Sequence, residues 1–322
     1  MIDDISKKLF IRNKKHLSFF VDTHTLDKPK QFDISNTFTI NAQAKTNKQK
    51  NFFNNGDMDL VNINGNIHFN MIYCGACEYT QKWKYNGYIH QFDQKLKYSF
   101  WLGQIEVTQE LYKAIYSLGD KTFTIDQYPE FEHPEKPIHN VSFYDAIEFC
   151  NLLSNLQGLE SCYKIDVQQT KQNQPNRIEK AKVSCDFTKN GYRLPSDLEW
   201  KYAYLEMINE MNKDTNPHLY KLDDYAWHHG NSNQQIQQIA TKKPSAMGFY
   251  DLIGNVSEWC YAPYDSSLLE SYNNISRMGG SWHTIFDEKL VSEYLEESKI
   301  SDLAQLNKPR YDTGFRLART QA

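Results

Sequence analysis

The stretch YDLIGNVSEWC, residues 250–260, raises the main question about this sequence. It places the carboxylates of Asp251 and Glu258 on either side of Gly254 and ends in Trp259 and a cysteine. A glycine lets the backbone turn sharply, and a hard cation such as Ca²⁺ binds carboxylate and carbonyl oxygens that converge in such a turn. The stretch is therefore either a tight turn whose carboxylates accept backbone hydrogen bonds, or a metal loop. Trp259 is expected in the core in both cases.

The composition is that of a globular protein with a mildly acidic charge balance. The chain has 322 residues, of which 40% are hydrophobic and 14% aromatic, enough for a sizeable core in one or two domains. The formal net charge of -4 gives no reason to expect a nucleic-acid partner. Because no run of about 18 apolar residues occurs, we also expect no membrane span.

The N-terminus and the cysteines bear on the compartment. The first residues, MIDDISKKLFIRNKKHLSFF, begin with acids, and lysines interrupt their apolar stretch, unlike a secretory signal. The chain has six cysteines, which is sparse for a disulfide framework. We expect reduced thiols in a cytoplasmic compartment, while export by a route without a Sec signal stays open.

The first part of the chain combines predicted strands with one helix. Alternation of apolar and polar residues predicts strands at residues 32–42, 58–75 and 98–107. The pair Asn64-Gly65 divides the second of these runs and predicts a β-hairpin. Thr108 is a suitable N-cap for a helix over residues 110–118.

The middle of the chain predicts two more helices separated by strands. Apolar residues recur on one helical face between Ser142, a good N-cap, and Gly158, which would end the helix. Two short strands with a polar insertion between them are predicted near Cys162 and Cys185, and Pro195 would open a third helix. The last third of the chain lacks helical periodicity. This order predicts an α+β fold with an unusual share of irregular structure.

Six landmarks occur in a fixed order along the chain. They are GQIEVTQELY, KPIHNVSFYDAIEFCNLLS, NGYRLPSDLEWKYA, MGFYDLIGNVSEWC, RMGGSW and TGFRLAR. Together they resemble the formylglycine-generating-enzyme (sulfatase-modifying factor) domain family. The resemblance implies a variant of the C-type-lectin fold with low regular secondary structure over residues 58–322, preceded by an N-terminal extension, residues 1–57.

The resemblance also implies a structural Ca²⁺ in the opening stretch. The ligands carried over are the carboxylates of Asp251 and Glu258 and the carbonyl oxygens of Gly254 and Val256. This set agrees with the oxygen donors that Ca²⁺ prefers.

The copper site of the family is missing from this sequence. Enzymes of the family oxidise a substrate cysteine with O₂ at a pair of cysteines that bind Cu(I), placed shortly after the Gly-Gly-Ser motif. Here Thr284 and Lys289 stand at those positions, and no cysteine follows Cys260. Neither a hydroxyl nor an ammonium replaces a thiolate on a soft metal. We therefore expect neither bound copper nor the family's usual activity.

Other metal or redox centres are weakly supported. A site built from His283 with the adjacent pair His228 and His229 is disfavoured, because neighbouring residues point in different directions. Cys74 and Cys77 form a Cys-x-x-Cys pair that is either structural, redox-active or half of a zinc site. The sequence shows neither a second ligand pair at matching spacing nor a βαβ context.

Several remaining polar residues have structural interpretations. Cys162 and Cys185 lie on strands that would pair, so a cross-strand disulfide is conceivable only in an oxidising compartment. Asp197 and Glu199 stand in the first turn of a predicted helix, where carboxylates favour the helix dipole. The family pattern implies that Arg193 and Arg316 belong to buried ion pairs.

Two classes of function follow. The first is a non-catalytic binding or scaffold protein that docks to a protein partner, with His283, Thr284, Lys289 and Tyr311 as candidate contact residues. These residues border or lie within the long acidic segment between the Gly-Gly-Ser-Trp and Gly-Phe-Arg motifs. The second is an oxidoreductase or protein-modifying enzyme with altered metal chemistry. A stoichiometric transition metal would favour the enzyme, and Ca²⁺ alone would favour the scaffold.

Overall fold

The computed structural model describes residues 39–41, 56–63, 65, 67–85, 88–119, 133–172, 174–212, 222–261, 275–286 and 306–321. The chain forms two compact units, Met1–Asn36 with Trp83–His90, and Thr37–Lys82 with Gln91–Ala322. The candidate site lies in the second unit. None of the helices in these ranges is long and apolar enough to cross a membrane.

Short strands and a few helices alternate along the described residues. The strands are β1 Thr39–Asn41, β2 Met58–Asn62, β3 His68–Cys74, β4 Cys77–Tyr85, β5 Tyr88–Leu96, β6 Phe100–Gly103, β7 Tyr163–Lys171, β8 Gln174–Cys185, β9 Tyr192–Arg193, β10 Ser257–Tyr261, β11 Ile275–Met278, β12 Thr313–Gly314 and β13 Ala318–Thr320. The helices are α1 Gln109–Leu118, α2 Phe143–Leu156, α3 Asp197–Asn212 and α4 Leu222–Tyr225. This mixture confirms the predicted α+β class.

The main sheet has five antiparallel strands in the order β2-β3-β6-β13-β9. Side chains alternate between its two faces, so both faces bury apolar residues. Met71 and Trp101 point into one core cluster with α1 and α2, while Ile72 and Leu102 point into a second cluster with α3. The C-terminal strand β13 lies inside this sheet, next to β6.

The predicted hairpin at residues 58–75 is confirmed, with a longer loop than a two-residue turn. The last pair of its ladder joins Asn62 to His68, and the Ile63 N–H donates to the Ile67 carbonyl at 2.9 Å. Gly65 has φ of +85°, a conformation that favours glycine. The Asn-Gly pair therefore marked the turn correctly but not its length.

The N-caps of α1 and α2 are those that the sequence predicts. The Thr108 hydroxyl accepts a hydrogen bond from the Leu111 N–H at 3.1 Å. At α2, the Ser142 hydroxyl accepts from the Asp145 N–H, and the Asp145 carboxylate accepts in return from the Ser142 N–H at 2.8 Å. Such a reciprocal capping box satisfies two backbone donors at once.

The third helix begins two residues after Pro195. Ser196 caps it, because its hydroxyl accepts from the Glu199 N–H at 3.1 Å and its own N–H donates to the Glu199 carboxylate at 2.7 Å. This second capping box explains the offset, since proline precedes the cap instead of occupying the first helical position.

Strands β7 and β8 form one long antiparallel ribbon, which corrects the expectation of two short strands with a polar insertion between them. The polar residues are part of the ladder itself, because the outward face of a two-stranded ribbon remains in water. The ribbon is attached to α2 by an ion pair between Arg177 and Asp145, with 2.8 Å between nitrogen and oxygen.

The opening stretch is split between a turn and the strand β10. This strand pairs with β11 on one side and with β12 on the other, and all five of its residues are buried. Trp259 is fully buried, and its indole N–H donates to the Val141 carbonyl at 3.1 Å. The tryptophan thus joins β10 to the start of α2, as expected for a core residue.

Candidate functional site

The carboxylate of Glu258 belongs to a buried ion pair. The Arg316 guanidinium donates to its two oxygens through Nε and Nη2, each at 2.6 Å. The Trp200 indole N–H donates to the same carboxylate at 2.9 Å. Both charged side chains are fully or almost fully buried. This contact is one of the two buried arginine ion pairs that the resemblance implies.

Asp251 and Glu106 lie around the same turn. One oxygen of Asp251 accepts from the Ala240 N–H at 2.7 Å, and its Oδ1 has no hydrogen-bond partner within the described residues. Burial raises the pKa of Asp251 to about 6. Glu106 accepts from the Asn255 side chain at 2.9 Å and from the Val256 N–H at 3.2 Å, and burial raises its pKa as well.

In this arrangement, Glu258 and one oxygen of Asp251, which are predicted Ca²⁺ ligands, are engaged within the protein. Ca²⁺ needs about six to eight oxygen ligands, yet both oxygens of Glu258 face a guanidinium that would repel the ion. Asp251 keeps one carboxylate oxygen without a hydrogen-bond partner among the described residues. The buried ion pair with Arg316 and the Glu106 hydrogen bonds hold the turn that contains Gly254 and Val256.

The first vacated cysteine position, Thr284, closes a small turn with Ser281. The Ser281 N–H donates to the Thr284 hydroxyl at 2.9 Å, and the Thr284 N–H donates to the Ser281 carbonyl at 2.9 Å. The Thr284 hydroxyl is thereby used inside the protein. Lys289, the second vacated position, lies outside the described residues.

His283 and Tyr311, both predicted contact residues, come together in space. The His283 Nδ1 lies 2.8 Å from the Ser281 hydroxyl, and its Nε2 lies 3.4 Å from the Tyr311 hydroxyl. The two rings and that of Trp282 pack against one another, with centroids 5.1 to 6.1 Å apart. Asp312 is near the same histidine nitrogen, at 3.8 Å.

We call Trp282, His283, Ile285 and Tyr311 the aromatic face. Ile285 is 69% exposed and Tyr311 is 56% exposed, which is high for apolar and aromatic side chains. Trp282 and Ile285 were not among the predicted contact residues. Their signal was present, since both flank the position of the missing cysteine in the motif GGSWHTI.

The loop that follows Trp227 is tied to the aromatic face by hydrogen bonds. The His229 N–H donates to the Thr284 carbonyl at 3.1 Å, and the Ser232 hydroxyl donates to the Trp282 carbonyl at 2.7 Å. The sequence alone did not reveal this neighbourhood, because the two segments are some fifty residues apart.

The three histidines do not form a metal site. His228 is buried, with one ring nitrogen 2.7 Å from the Asp223 carboxylate and the other accepting from the Gly230 N–H at 3.2 Å. Both of its nitrogens are therefore engaged away from His283. His229 is exposed and meets Thr284 through its backbone.

The cysteines are free thiols in the structure. Cys74 and Cys77 are buried, and burial raises the pKa of both, that of Cys77 to about 12. Such thiols carry little thiolate and react slowly, which agrees with a structural role. Cys162 and Cys185 do not form a disulfide, and the Cys162 thiol donates to the Gly191 carbonyl at 3.3 Å.

Asp197, Glu199 and Arg193 support the fold. Arg193 and Glu199 form a fully buried bidentate ion pair at 2.7 and 2.6 Å. Asp197 accepts from the Leu198 N–H and lies 3.6 Å from the Lys201 ammonium. These contacts agree with the prediction that Asp197 and Glu199 have a structural role at the start of a helix.

Sequence comparison relates the chain to a protein family and to a curated relative. Residues 66–321 match the family described as the sulfatase-modifying factor enzyme 1-like domain. A curated relative, the chaperone protein LppX of Paenibacillus barcinonensis, is 30% identical over 208 residues, which cover 57% of this chain and 69% of the relative.

Structural comparison gives the same fold. Treponema denticola variable protein 1 matches with a TM-score of 0.59 and 25% identity, covering 82% of this chain and 99% of that protein. CarF matches with a TM-score of 0.53 and 21% identity over 79% of this chain and 99% of its own. PvdO from Pseudomonas aeruginosa matches with a TM-score of 0.55 and 16% identity over 84% and 100%. This chain belongs to the sulfatase-modifying factor enzyme 1-like domain family.

Proposed function

We propose that this protein is a non-catalytic binding module that docks a protein partner through the aromatic face. The exposure of Ile285 and Tyr311 beside packed aromatic rings carries the proposal. Large aromatic residues are enriched among the side chains that dominate protein–protein binding.

The loops around the aromatic face have the composition of a recognition surface. The segments WHHGNSNQQ, residues 227–235, and GGSWHTI, residues 279–285, combine tryptophan and histidine with Gly, Ser, Asn and Gln. In antibody loops, rigid aromatic residues supply contact area while Ser, Gly and Asn supply adaptable hydrogen bonds. The same division of roles is available here.

The alternative, an oxidoreductase or protein-modifying enzyme with altered metal chemistry, lacks support at the expected position. Thr284 supplies a hydroxyl that is bonded inward, and His228 is held by Asp223. A soft metal such as Cu(I) requires thiolate or thioether ligands. We therefore place the function in binding.

Two names among the compared proteins support this proposal, and neither names a partner. One relative is named a chaperone protein, and one structural match is named a variable protein. We further propose that residues 1–57 contribute to docking, and that the protein works in a reducing, cytoplasm-like compartment, since its six cysteines are free.

The test is an affinity purification in which the wild-type chain and the Tyr311→Ala variant each serve as bait, and the proteins that they retain are compared. The affinity of both chains for the purified partner is then measured. We expect the variant to lose at least tenfold in affinity, as for a hot-spot aromatic residue. Val167→Ala is the matched control, because Val167 is 47% exposed on the β7–β8 ribbon. Equal affinity of wild-type and Tyr311→Ala for every partner would refute the proposed surface.

A further inference from the structure

We propose that the aromatic face recognises an acidic side chain of the partner, whose carboxylate binds the Arg310 guanidinium beside Tyr311. The carboxylate belongs to an aspartate or glutamate that stands next to a large apolar residue of the partner. This inference rests on the proposed function, since it names the chemical group that the partner presents to the aromatic face.

Arg310 lies at the edge of the aromatic face, and Asp312 connects the two. The Arg310 Nε is 3.9 Å from one oxygen of the Asp312 carboxylate, and the His283 Nε2 is 3.8 Å from the other. The same histidine nitrogen lies 3.4 Å from the Tyr311 hydroxyl. The guanidinium and the His283 ring therefore reach the same carboxylate, next to Tyr311.

The Arg310 guanidinium lacks a hydrogen-bond acceptor among the described residues. Its Nε is buried without a hydrogen bond, because the 3.9 Å to Asp312 exceeds the usual donor–acceptor distance of about 2.7–3.2 Å. Its two terminal nitrogens likewise donate to no residue that the structure describes. The side chain is 38% exposed, and since Nε is buried, that exposure belongs to its other atoms. The terminal donors are therefore left to water or to a ligand.

Asp312 only partly compensates the charge of Arg310. Its carboxylate accepts from the Thr313 hydroxyl at 3.0 Å and is also approached by Arg277, with 3.9 Å between nitrogen and oxygen. One carboxylate is therefore shared between two guanidiniums. Lys308, two residues before Arg310, is exposed and adds a positive charge that has no ion pair in the described part of the chain. The described residues around Arg310 thus favour an anionic ligand.

The chemistry of this edge indicates which anion binds there. The planar N–H donors of a guanidinium match the two oxygens of a carboxylate and form short, charge-assisted hydrogen bonds with it. Ile285 and Tyr311 offer exposed apolar and aromatic area beside the charge. Because the proposed ligand is a protein, an acidic residue next to a large apolar residue supplies both parts. The aromatic face then provides contact area, while Arg310 selects the charge.

The probe is a library of linear peptides displayed on phage, selected on the full wild-type chain and counter-selected on Tyr311→Ala. We expect the surviving peptides to be enriched in Asp or Glu next to a large apolar residue. The tightest binder is synthesised and titrated calorimetrically. Replacing its acid with the corresponding amide should weaken binding to the wild type by about tenfold or more, because a hydrogen bond between charged groups is lost. This comparison tests the charge without changing the protein.

A double-mutant cycle assigns the acid of the peptide to Arg310. Arg310→Gln should bind the acidic peptide about tenfold more weakly, yet it should bind the amide peptide as tightly as the wild type does. Arg310→Lys should lose less affinity, because the charge remains while the planar pair of donors is gone. Arg319→Gln is the matched control, because the Arg319 side chain is 23% exposed and lies 4.0 Å from the Asp59 carboxylate in the main sheet. It should leave the affinity unchanged.

The outcomes separate the two proposals. If no selected peptide depends on Tyr311, the proposed binding function is contradicted, and this inference with it. If peptides depend on Tyr311 but tolerate the amide, or bind Arg310→Gln as tightly as the wild type, only the role of Arg310 is refuted. Affinity for the acidic peptide should also fall as salt is added, because salt screens an exposed pair of charges. Equal affinity at low and high salt would overturn the assignment of a charged ligand.

Discussion

At the residue scale, the main finding is that the carboxylate of Glu258, which was predicted to bind calcium, forms an ion pair with an arginine. Arg316 and Glu258 lie 58 residues apart in the chain and meet in a fully buried bidentate pair. Pairing a buried carboxylate with a guanidinium satisfies both charges, whereas either group alone would be very unfavourable in the core. The pair therefore joins the motif Gly-Asn-Val-x-Glu to the motif Gly-Phe-Arg.

Glu258→Gln should lower the free energy of unfolding by about 3–5 kcal/mol, because it leaves the Arg316 charge buried without its partner. Urea unfolding followed by circular dichroism measures the change. Asp224→Asn is the matched control: it breaks the Asp224–Lys243 pair, whose side chains are 47% and 63% exposed. The control should lose much less, because water and salt screen an exposed ion pair. Similar losses in both variants would contradict the importance of the buried pair.

The missing thiolates predict the absence of the family's oxidation chemistry. We expect no conversion of a cysteine-containing sulfatase-type peptide to formylglycine, with or without added copper or iron, because the Thr284 hydroxyl is a poor ligand for a soft metal and is bonded to Ser281. Mass spectrometry of the incubated peptide measures this. An oxygen-dependent conversion of the thiol to an aldehyde would contradict the assignment as a binding protein.

Because His139 is buried, we expect the protein to lose stability in mild acid. Its burial lowers the pKa to about 4 from the usual 6.5, so the folded state favours the neutral ring. The stability that depends on the neutral ring is fully present above pH 6.5. It is lost as the pH falls toward 4, and at pH 5 the free energy of unfolding is lower by about 2 kcal/mol. Asp251, whose pKa is raised to about 6, acts in the opposite direction in this window.

Comparison with His139→Gln therefore isolates the histidine. Between pH 7 and pH 5, the wild type should lose more unfolding free energy than this variant in urea titrations, since glutamine does not titrate. Parallel pH profiles for the two proteins would show that His139 does not couple protonation to folding.

At the element scale, the helix starts are set by short polar motifs. The motif around Ser142 forms a reciprocal capping box, whereas Thr108 caps α1 through its hydroxyl alone. Asp145 also receives the Arg177 guanidinium from the β7–β8 ribbon. One cap thus serves both a helix start and the attachment of a neighbouring ribbon.

Ser142→Ala should lower the unfolding free energy by about 1–2 kcal/mol, because it removes the acceptor for the Asp145 N–H at a buried helix start. Chemical denaturation measures the difference. Ser142→Thr keeps a hydroxyl and serves as the control, with a smaller loss expected. An unchanged midpoint for Ser142→Ala would mean that the capping hydrogen bond adds no stability.

At the scale of the whole molecule, the buried network predicts no response to calcium. Ligand binding to the native state alone would raise the Tm, and the carboxylates of Glu258 and Glu106 are already engaged. We expect the same melting curve in calcium and in chelator. A rise of several degrees in calcium that disappears in Asp251→Ala would show that the turn rearranges to bind the ion.

The sequence by itself determined which elements form and in what order. The Asn-Gly turn, the hydroxyl caps and the ordered landmarks are local signals, and their physical causes act within a few residues of the chain. They were enough to predict the hairpin, the starts of α1 and α2, the α+β class and the loss of both copper thiolates. The length of the β7–β8 ribbon was underestimated, because its solvent-facing residues lack the apolar alternation that marks a strand.

Only the tertiary structure decided which polar groups meet. The sequence predicted that Glu258 binds a metal or accepts backbone hydrogen bonds, and it did not reveal that Arg316, which precedes β13 of the main sheet, pairs with this carboxylate. The contact between Ser232 and Trp282, and the left-handed pair Asn233–Gln234, likewise depend on loops far apart in the chain. Long-range packing enforces such contacts and backbone angles, and local sequence preferences do not encode them.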